Sequence, residues 1–374
     1  MKIGILTLPL YYNYGGIMQA YALQKCLNEL GHESTIINYP FKIHEPSNYI
    51  IAKRIVKKIL GKDIGYYVDF ERRYNKCLPR MKSHTDSFIR KYIKLSSPLK
   101  SYNEIQESDY DAIVVGSDQI WRPCMFQNDP AIAFLSFAEK WKIKRVSYGA
   151  SFGTDVWEYT ESQTVRCREL ANLFDAISVR ETSGVKMCHE ILGIEAVQVC
   201  DPTLLLDQEL YYNLIQDNNT PISEGSLFNY TLDITEAKSS LITFIANEKN
   251  LIPFKVNATD NNIYCPIEDR IARPVESWLR AFHDASFVVT DSFHACVFSI
   301  IFRKPFVAFA NKERGLARFE SLLGPLGLID RLVENISDYK KIPSDIDYDV
   351  VGVKLLKLRD KSLSFLKNTF SYGC

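Results

Sequence analysis

Short runs of branched apolar residues alternate with stretches of helical spacing along the whole chain, and this alternation limits the fold more than any other feature. Lys2–Leu8 is the first run, short enough for a buried strand. A turn holding Asn13, Gly15 and Gly16 follows, then a helix to about Leu30 with Ala20, Leu23, Cys26, Leu27 and Leu30 on one face. Gly31 closes it where helices commonly stop. Ser34–Tyr39 is the next strand, so the chain opens as β-α-β, which implies a right-handed crossover and a parallel sheet.

The same reading places strands at 112–115, 145–148, 176–179 and 197–200, with a helix over Glu158–Phe174. Asn218, Asn219, Pro221, Ser223 and Gly225 form a polar, breaker-rich stretch that marks a domain boundary. Beyond it, strands are expected at 227–232, 254–258, 287–290 and 305–309, and a last helix from about Val351 to Lys367. A length of 374 residues holds two or three domains of about 100–200 residues each. The expected fold class is therefore α/β: two doubly wound, Rossmann-like βα domains facing a cleft. The first spans residues 1–215, with a basic helical insertion over 41–100; the second spans 216–345, and a C-terminal helix over 346–374 returns to the first. Ligands of such sheets sit outside the carboxyl ends of the strands.

Composition removes several functions. The 45 Lys+Arg balance 45 Asp+Glu, so no global positive field attracts nucleic acid. A chain that is 46% hydrophobic and 12% aromatic is not a disordered one. The nine cysteines are odd in number and form no C-x-x-C pair, which points to reduced thiols and neither a disulfide framework nor a metal site. The apolar run at Met1–Leu10 is too short for a signal peptide and lacks a small-residue cleavage site. The greasiest stretch, 287–310, is interrupted by Asp291, His294, Arg303 and Lys304. At a bilayer centre a charged residue costs about 2.5–3.5 kcal/mol. A soluble, cytoplasmic protein is expected. One segment departs from neutrality: residues 53–100 carry 14 Lys+Arg against 4 Asp+Glu, with Ile51, Ile55 and Ile59 recurring beside Lys53, Arg54, Lys57 and Lys58. Such a helix either solvates its basic face or lies on the anionic inner face of a membrane.

Five strand ends carry residues suited to chemistry. Asn13-Tyr14-Gly15-Gly16 allows close backbone approach and free N–H groups for an anion, or is simply a tight turn. It lacks the G-x-G-x-x-G fingerprint, and the second strand ends in Asn38-Tyr39-Pro40 without a ribose-binding acid, so a dinucleotide cofactor is not expected. Gly116-Ser117-Asp118 and Tyr148-Gly149-Ala150-Ser151 suit cleft-facing loops; Asp118 could act as acid or base, orient a sugar hydroxyl or cap the next turn. Arg180 offers a planar fork for a carboxylate or phosphate, unless it is solvated or paired with Glu181. Asp291 and Ser292 are good helix N-caps, which places His294 on a first helical turn where anions collect. An imidazole there can donate a proton near neutral pH, although a histidine between Phe293 and Ala295 also reads as a packing residue.

Taken in order, Asn13-Tyr-Gly-Gly16 with Gln19-Ala-Tyr-Ala-Leu-Gln24, Gly116-Ser-Asp-Gln-Ile-Trp121, Tyr148-Gly-Ala-Ser-Phe-Gly153, Ser178-Val-Arg-Glu181, Asp201-Pro-Thr203 and Thr290-Asp-Ser-Phe-His294 resemble the polysaccharide pyruvyl transferase family over about Lys2–Arg331. The resemblance implies a two-domain fold of the glycosyltransferase B type. It also implies transfer of pyruvate from phosphoenolpyruvate to two hydroxyls of a sugar as a ketal, with release of phosphate and no cofactor. Acceptors in that family belong to capsule, exopolysaccharide or cell-wall polymers, often on a lipid carrier. By position, His294 looks like the general acid and Arg180 like a donor-binding arginine, with Ser292, Phe293 and Arg318 beside the donor. Asp118 is the second catalytic candidate, and Asn13, Gly15, Gly16, Ser117 and Ser151 are the candidate acceptor or cleft-loop residues. Many members have arginine two residues before the histidine, where this chain has Ser292; Lys312, Arg314 or Arg318 could substitute. A nucleotide-sugar glycosyltransferase and a non-catalytic glycan-binding protein are the alternatives such a scaffold leaves open.

Overall fold

The computed structural model describes residues 1–62, 68–126, 129–258, 265–310 and 315–371. Two parallel sheets carry the chain. The first contains β1 (Lys2–Leu6), β2 (Glu33–Ile36), β3 (Ala112–Val115), β4 (Lys144–Ala150), β5 (Ala176–Val179) and β6 (Val197–Gln198), in the order β2-β1-β3-β4-β5-β6. The second contains β7 (Leu227–Tyr230), β8 (Pro253–Phe254), β9 (Phe287–Thr290), β10 (Phe306–Phe309) and β11 (Leu332–Val333), in the order β11-β10-β9-β7-β8. Strand order reverses between β1 and β3 in one sheet and between β7 and β9 in the other. Those reversals open crevices at the carboxyl ends of the strands.

Every residue of β3, β7, β9 and β10 is buried. Strands covered on both faces are why these segments read as unbroken apolar runs. The expected strands at 2–8, 34–39 and 227–232 end earlier, at Leu6, Ile36 and Tyr230, and the one at 254–258 shrinks to Pro253–Phe254. Strand β11 has only two residues, too few to show any periodicity.

The lobes share one apolar cluster, which runs from Ile3, Ile5 and Val114 of the first sheet to Val288, Phe306 and Ala308 of the second. Tyr14, from the first lobe, stacks on Trp278 of the second at 5.5 Å between ring centroids. The crossing between lobes comes before the breaker-rich stretch. The helix Gln208–Gln216 buries Tyr211, Leu214 and Ile215, and Tyr211 meets Phe298 of the second lobe at 5.1 Å. The last helix, Tyr348–Phe370, comes back across the first lobe. Ser362 Oγ accepts the Cys200 N–H at 2.9 Å, Lys144 Nζ donates to the Thr369 carbonyl at 2.5 Å, and Leu366 is fully buried.

The basic insertion forms the helices Asn48–Ile59, Phe70–Met81 and Ser83–Tyr92. The latter two bury Tyr74, Leu78, Met81, Phe88 and Ile89, whereas Asn48–Ile59 buries none of its residues. Among the described residues no helix is long and apolar enough to cross a membrane, and the eight described cysteines are free thiols.

Because Leu366 fills the seam between the last helix and the first lobe, Leu366→Ala is expected to lower the unfolding free energy by about 2–5 kcal/mol. Urea denaturation followed by tryptophan fluorescence measures that loss.

Candidate active site

The loops after β1, β3, β5, β6 and β9 meet in the gap between the lobes. After β3, the Ser117 N–H donates to Gln19 Oε1 at 2.9 Å and the Ser117 hydroxyl to the Gly149 carbonyl at 3.1 Å, which pins the loop to the first helix and to β4. Asp118 then takes a left-handed conformation at φ 59°, a region aspartate tolerates. After β5, Arg180 is only 3% exposed. Its Nη1 donates to Asp201 Oδ2 at 2.6 Å and its Nη2 to Asp118 Oδ1 at 3.4 Å.

Glu181 points elsewhere. Its Oε1 accepts from the Ser151 hydroxyl at 2.8 Å and the Phe152 N–H at 2.7 Å, while Oε2 is buried without a hydrogen-bond partner among the described residues. Asp201, just beyond β6, heads the turn Pro202–Leu205, and its Oδ1 accepts from the Thr203 N–H at 3.0 Å and hydroxyl at 2.6 Å.

On the second lobe, β9 leads through Asp291 and Ser292 into the helix Phe293–Ile301. Asp291 does not cap that helix. Its carboxylate accepts the Leu232 N–H at 2.7 Å and Lys238 Nζ at 2.5 Å, clamping the loop after β7. Ser292 occupies the cap position, but its hydroxyl makes no capping bond. His294, on the first turn, packs its ring against the backbone of Gly15 from the other lobe. A Cβ at residue 15 would stand 2.2 Å from His294 Nδ1, so only glycine fits there.

His294 Nε2 lies 3.5 Å from Asp201 Oδ2, near enough for charge attraction, yet it has no hydrogen-bond partner among the described residues. Two guanidiniums flank Phe293: that of Arg180 is 4.3 Å from the ring centroid and that of Arg318, from the helix Leu316–Leu326, is 5.9 Å away. A cavity of about 60 Å³ opens beside them, lined by Arg180, Asp201, Phe293, Arg318, Lys361 and Ser362 among others.

Burial and charge pull against each other here. Burial would raise both aspartates. His294 and Arg180 overcome it at Asp201 and hold that carboxyl far below the ordinary carboxylate range; at Asp118 they and Arg318 lower the carboxyl. Burial wins at Glu181, whose carboxyl is raised. Burial, together with the neighbouring Arg180 charge, lowers Arg318 to about 10. Like charges held this close inside a protein suit an anionic ligand.

Asp118, Arg180, Phe293, His294 and Arg318 thus gather at one place. Others do not join them in the expected way. Ser117 and Ser151 are fully buried with their hydroxyls used internally, so neither is open to an acceptor. Asn13 is exposed and caps the first helix, taking the Gly16 N–H at 3.2 Å that an anion would otherwise use. Arg180 is neither solvated nor paired with Glu181; Asp118 and Asp201 hold it instead. Lys312 and Arg314 lie outside the described residues. Asp201 had no assigned role in the sequence reading, although Asp-Pro-Thr is a capping signature that places a carboxylate at a strand end. Among the described residues no group of three or more His, Cys, Asp or Glu could hold a metal ion.

A family model described as polysaccharide pyruvyl transferase matches residues 13–313. No curated protein sequence matches the chain. Solved structures that resemble it include UDP-GlcNAc 2-epimerase from Methanocaldococcus jannaschii in complex with UDP-GlcNAc and UDP, at 12% identity and TM-score 0.45 with 100% of both chains covered. UDP-GlcNAc 2-epimerase from Neisseria meningitidis bound to UDP-GlcNAc matches at 10% identity and TM-score 0.45, over 100% of this chain and 95% of that one. Arabidopsis thaliana UGT89C1 complexed with UDP-L-rhamnose matches at 9% identity and TM-score 0.46, over 97% and 94%. These likenesses are distant and bear on no substrate.

Removing Arg180 would take from two buried carboxylates the guanidinium that both of them contact, at an expected cost of about 3–5 kcal/mol. Both carboxyls are depressed on folding, so this stability is present above their unfolded values, near pH 4, and is lost as pH falls through their folded values. Denaturant titrations of wild type and Arg180→Ala should therefore differ most at neutral pH and converge in acid.

Proposed function

Because the chain belongs to the polysaccharide pyruvyl transferase family, we propose that it moves the pyruvyl group of phosphoenolpyruvate onto two hydroxyls of a sugar in a surface-polysaccharide precursor, leaving a ketal and inorganic phosphate. One observation carries the reading: His294 of the second lobe shares the Asp201 carboxylate with Arg180 of the first, at a gap that also receives Arg318. An acid and two fixed cations are what a donor with a carboxylate, a phosphate and a protonatable double bond requires.

The chemistry follows from those groups. His294 gives a proton to the donor's methylene carbon, and the adjoining carbon becomes electron-poor. A sugar hydroxyl attacks that carbon and returns its proton to His294; a second hydroxyl then displaces phosphate, which carries off that hydroxyl's proton, and closes the ketal. Asp201 Oδ2 is already engaged by the Arg180 Nη1 donor at 2.6 Å, so it attracts the imidazole without tying up Nε2. Asp118, whose carboxyl the neighbouring His294, Arg180 and Arg318 lower against burial, serves better as a hydrogen-bond acceptor that orients a hydroxyl than as a proton store. Arg318, beside Phe293, supplies the charge that Ser292 does not.

His294→Ala is expected to cut phosphate release by about 10²–10⁴-fold while phosphoenolpyruvate binding stays measurable by calorimetry. Gly15→Ala, which drives a methyl group into the His294 side chain, should lower kcat and cost about 1–3 kcal/mol of unfolding free energy. Turnover of His294→Ala at the wild-type rate would remove the residue from the mechanism. Consumption of a sugar nucleotide in place of phosphoenolpyruvate would make the protein a glycosyltransferase, and sugar binding with neither donor consumed would make it a binding protein.

The reading includes a cytoplasmic site at the inner face of a membrane, where a lipid-linked acceptor would be met. The helix Asn48–Ile59 supports this: Tyr49, Ile55, Val56 and Ile59 are exposed, Ile59 at 78%, and Lys53, Lys57 and Lys58 flank them. Arg54 is taken by a two-pronged pair with Glu71 at 2.8 and 2.9 Å. Flotation with vesicles containing phosphatidylglycerol, but not with phosphatidylcholine alone, is expected, and Val56→Glu with Ile59→Glu should abolish it. Absence of the wild type from the anionic vesicle fraction would end this part of the reading.

A further inference from the structure

Arg270 stands apart from the other buried arginines. It closes the short turn Ile267–Arg270 on the second lobe and is only 4% exposed. Its Nε and Nη2 are buried with no hydrogen-bond partner among the described residues. Arg180 is held by two carboxylates, Arg145 donates to the carbonyls of Ala138 and Trp141, and Arg331 donates to the Asp345 carbonyl. Nearby acids are spent or outward: Glu268 pairs with Arg80 at 2.6 Å, and Asp269 is exposed. A guanidinium keeps its charge and has five donors to place, so burying one without an anion is costly.

What faces Arg270 is a cluster of tyrosines. Its guanidinium lies 5.9 Å from the Tyr74 ring, on the helix Phe70–Met81, which is tied to the second lobe by the Ala272 N–H donating to the Met81 carbonyl at 2.8 Å. The Tyr74 and Tyr12 hydroxyls are 2.5 Å apart. Next to Tyr12, at 4.4 Å between centroids, Tyr11 stacks on Phe41 at 4.3 Å, and both rings are half-buried. Tyr11 and Tyr12 lie in the loop after β1 that leads into Gly15, whose backbone meets the His294 ring. The groups therefore run from the loop that reaches His294, through a stacked aromatic pair, to a guanidinium whose Nε and Nη2 have no hydrogen-bond partner among the described residues.

We propose that Arg270, with the Tyr12 and Tyr74 hydroxyls, binds an oxyanion carried by the acceptor sugar, while the sugar ring lies along Tyr11 and Phe41. Aromatic faces suit the apolar face of a pyranose, and a guanidinium suits a phosphate or a carboxylate with two parallel hydrogen bonds. The acceptor class is thus an acidic one, a glycosyl phosphate or a uronate, rather than a neutral sugar. The inference rests on the acceptor being a sugar, as proposed above.

Calorimetry and thermal shift with N-acetylglucosamine 1-phosphate, glucuronate and N-acetylglucosamine test it, with phosphoenolpyruvate titrated separately into the wild type. At least one of the two acidic sugars should bind the wild type ten-fold or more tighter than the neutral one, and which of them does so identifies the oxyanion. Arg270→Met should erase that preference and, without ligand, melt no lower than the wild type. Arg270→Lys, which keeps the charge but not the fork, should retain part of it. Equal affinity of the wild type for acidic and neutral sugars, an unchanged preference in Arg270→Met, or a lower melting temperature for that variant without ligand would each overturn the proposal. Failure of phosphoenolpyruvate to bind would instead sink the donor assignment and leave this result to stand by itself.

Discussion

A single carboxylate holds the centre of this molecule. Asp201 sits fully inside the protein, where an unpaired charge would be costly, and it is tolerated only because its two oxygens are divided among four neighbours. Oδ1 takes the Thr203 amide and hydroxyl, while Oδ2 takes Arg180 and draws in His294 from the opposite lobe. Remove that carboxylate and the Arg180 guanidinium keeps only its longer contact to Asp118, while the imidazole loses the first-lobe carboxylate 3.5 Å from its Nε2. The positions of the imidazole, the guanidinium and the second carboxylate are thus consequences of one electrostatic requirement.

The apolar seam sets the distances over which that requirement is met. Tyr14 on Trp278, the Gln208–Gln216 helix against Phe298, and the returning Tyr348–Phe370 helix bind the lobes into a shared core. Close packing of this kind is stiff, so a small change in volume is felt at a distance. Gly15 shows how tightly the chemistry is built onto it. The backbone there touches the His294 ring, and the glycine that seemed at first to serve a turn or an anion is in fact making room for a histidine from across the gap.

Polar groups in this structure fall into two kinds. Most are used up internally: Ser117, Ser151, Gln19 and Asp291 satisfy loop amides and hydroxyls, and they hold the strand-end loops in shape. Among the described residues some buried atoms keep capacity to spare, His294 Nε2, Glu181 Oε2 and the Arg270 Nε and Nη2 among them. Buried groups with unspent hydrogen bonds are rare in folded proteins, and His294 Nε2 is one that lies where the two lobes meet.

Periodicity was enough to read the α/β class, the parallel sheets and most strand positions, because buried strands and amphipathic helices must repeat their apolar residues at fixed intervals whatever surrounds them. The strand-end motifs also picked out His294, Arg180 and Asp118 as candidates, since small residues followed by a charged one at the carboxyl end of a strand suit a cleft-facing loop. Other features depend on pairings between distant parts of the chain, which no local pattern records. That Arg180 answers to Asp118 and Asp201 and not to Glu181, that the Gln208–Gln216 helix belongs with the second lobe, and that Arg270 is buried against Tyr74 were decided only when the lobes packed. Spacing along the sequence reports which face of an element is apolar; it cannot report which charge from elsewhere will be buried against that element.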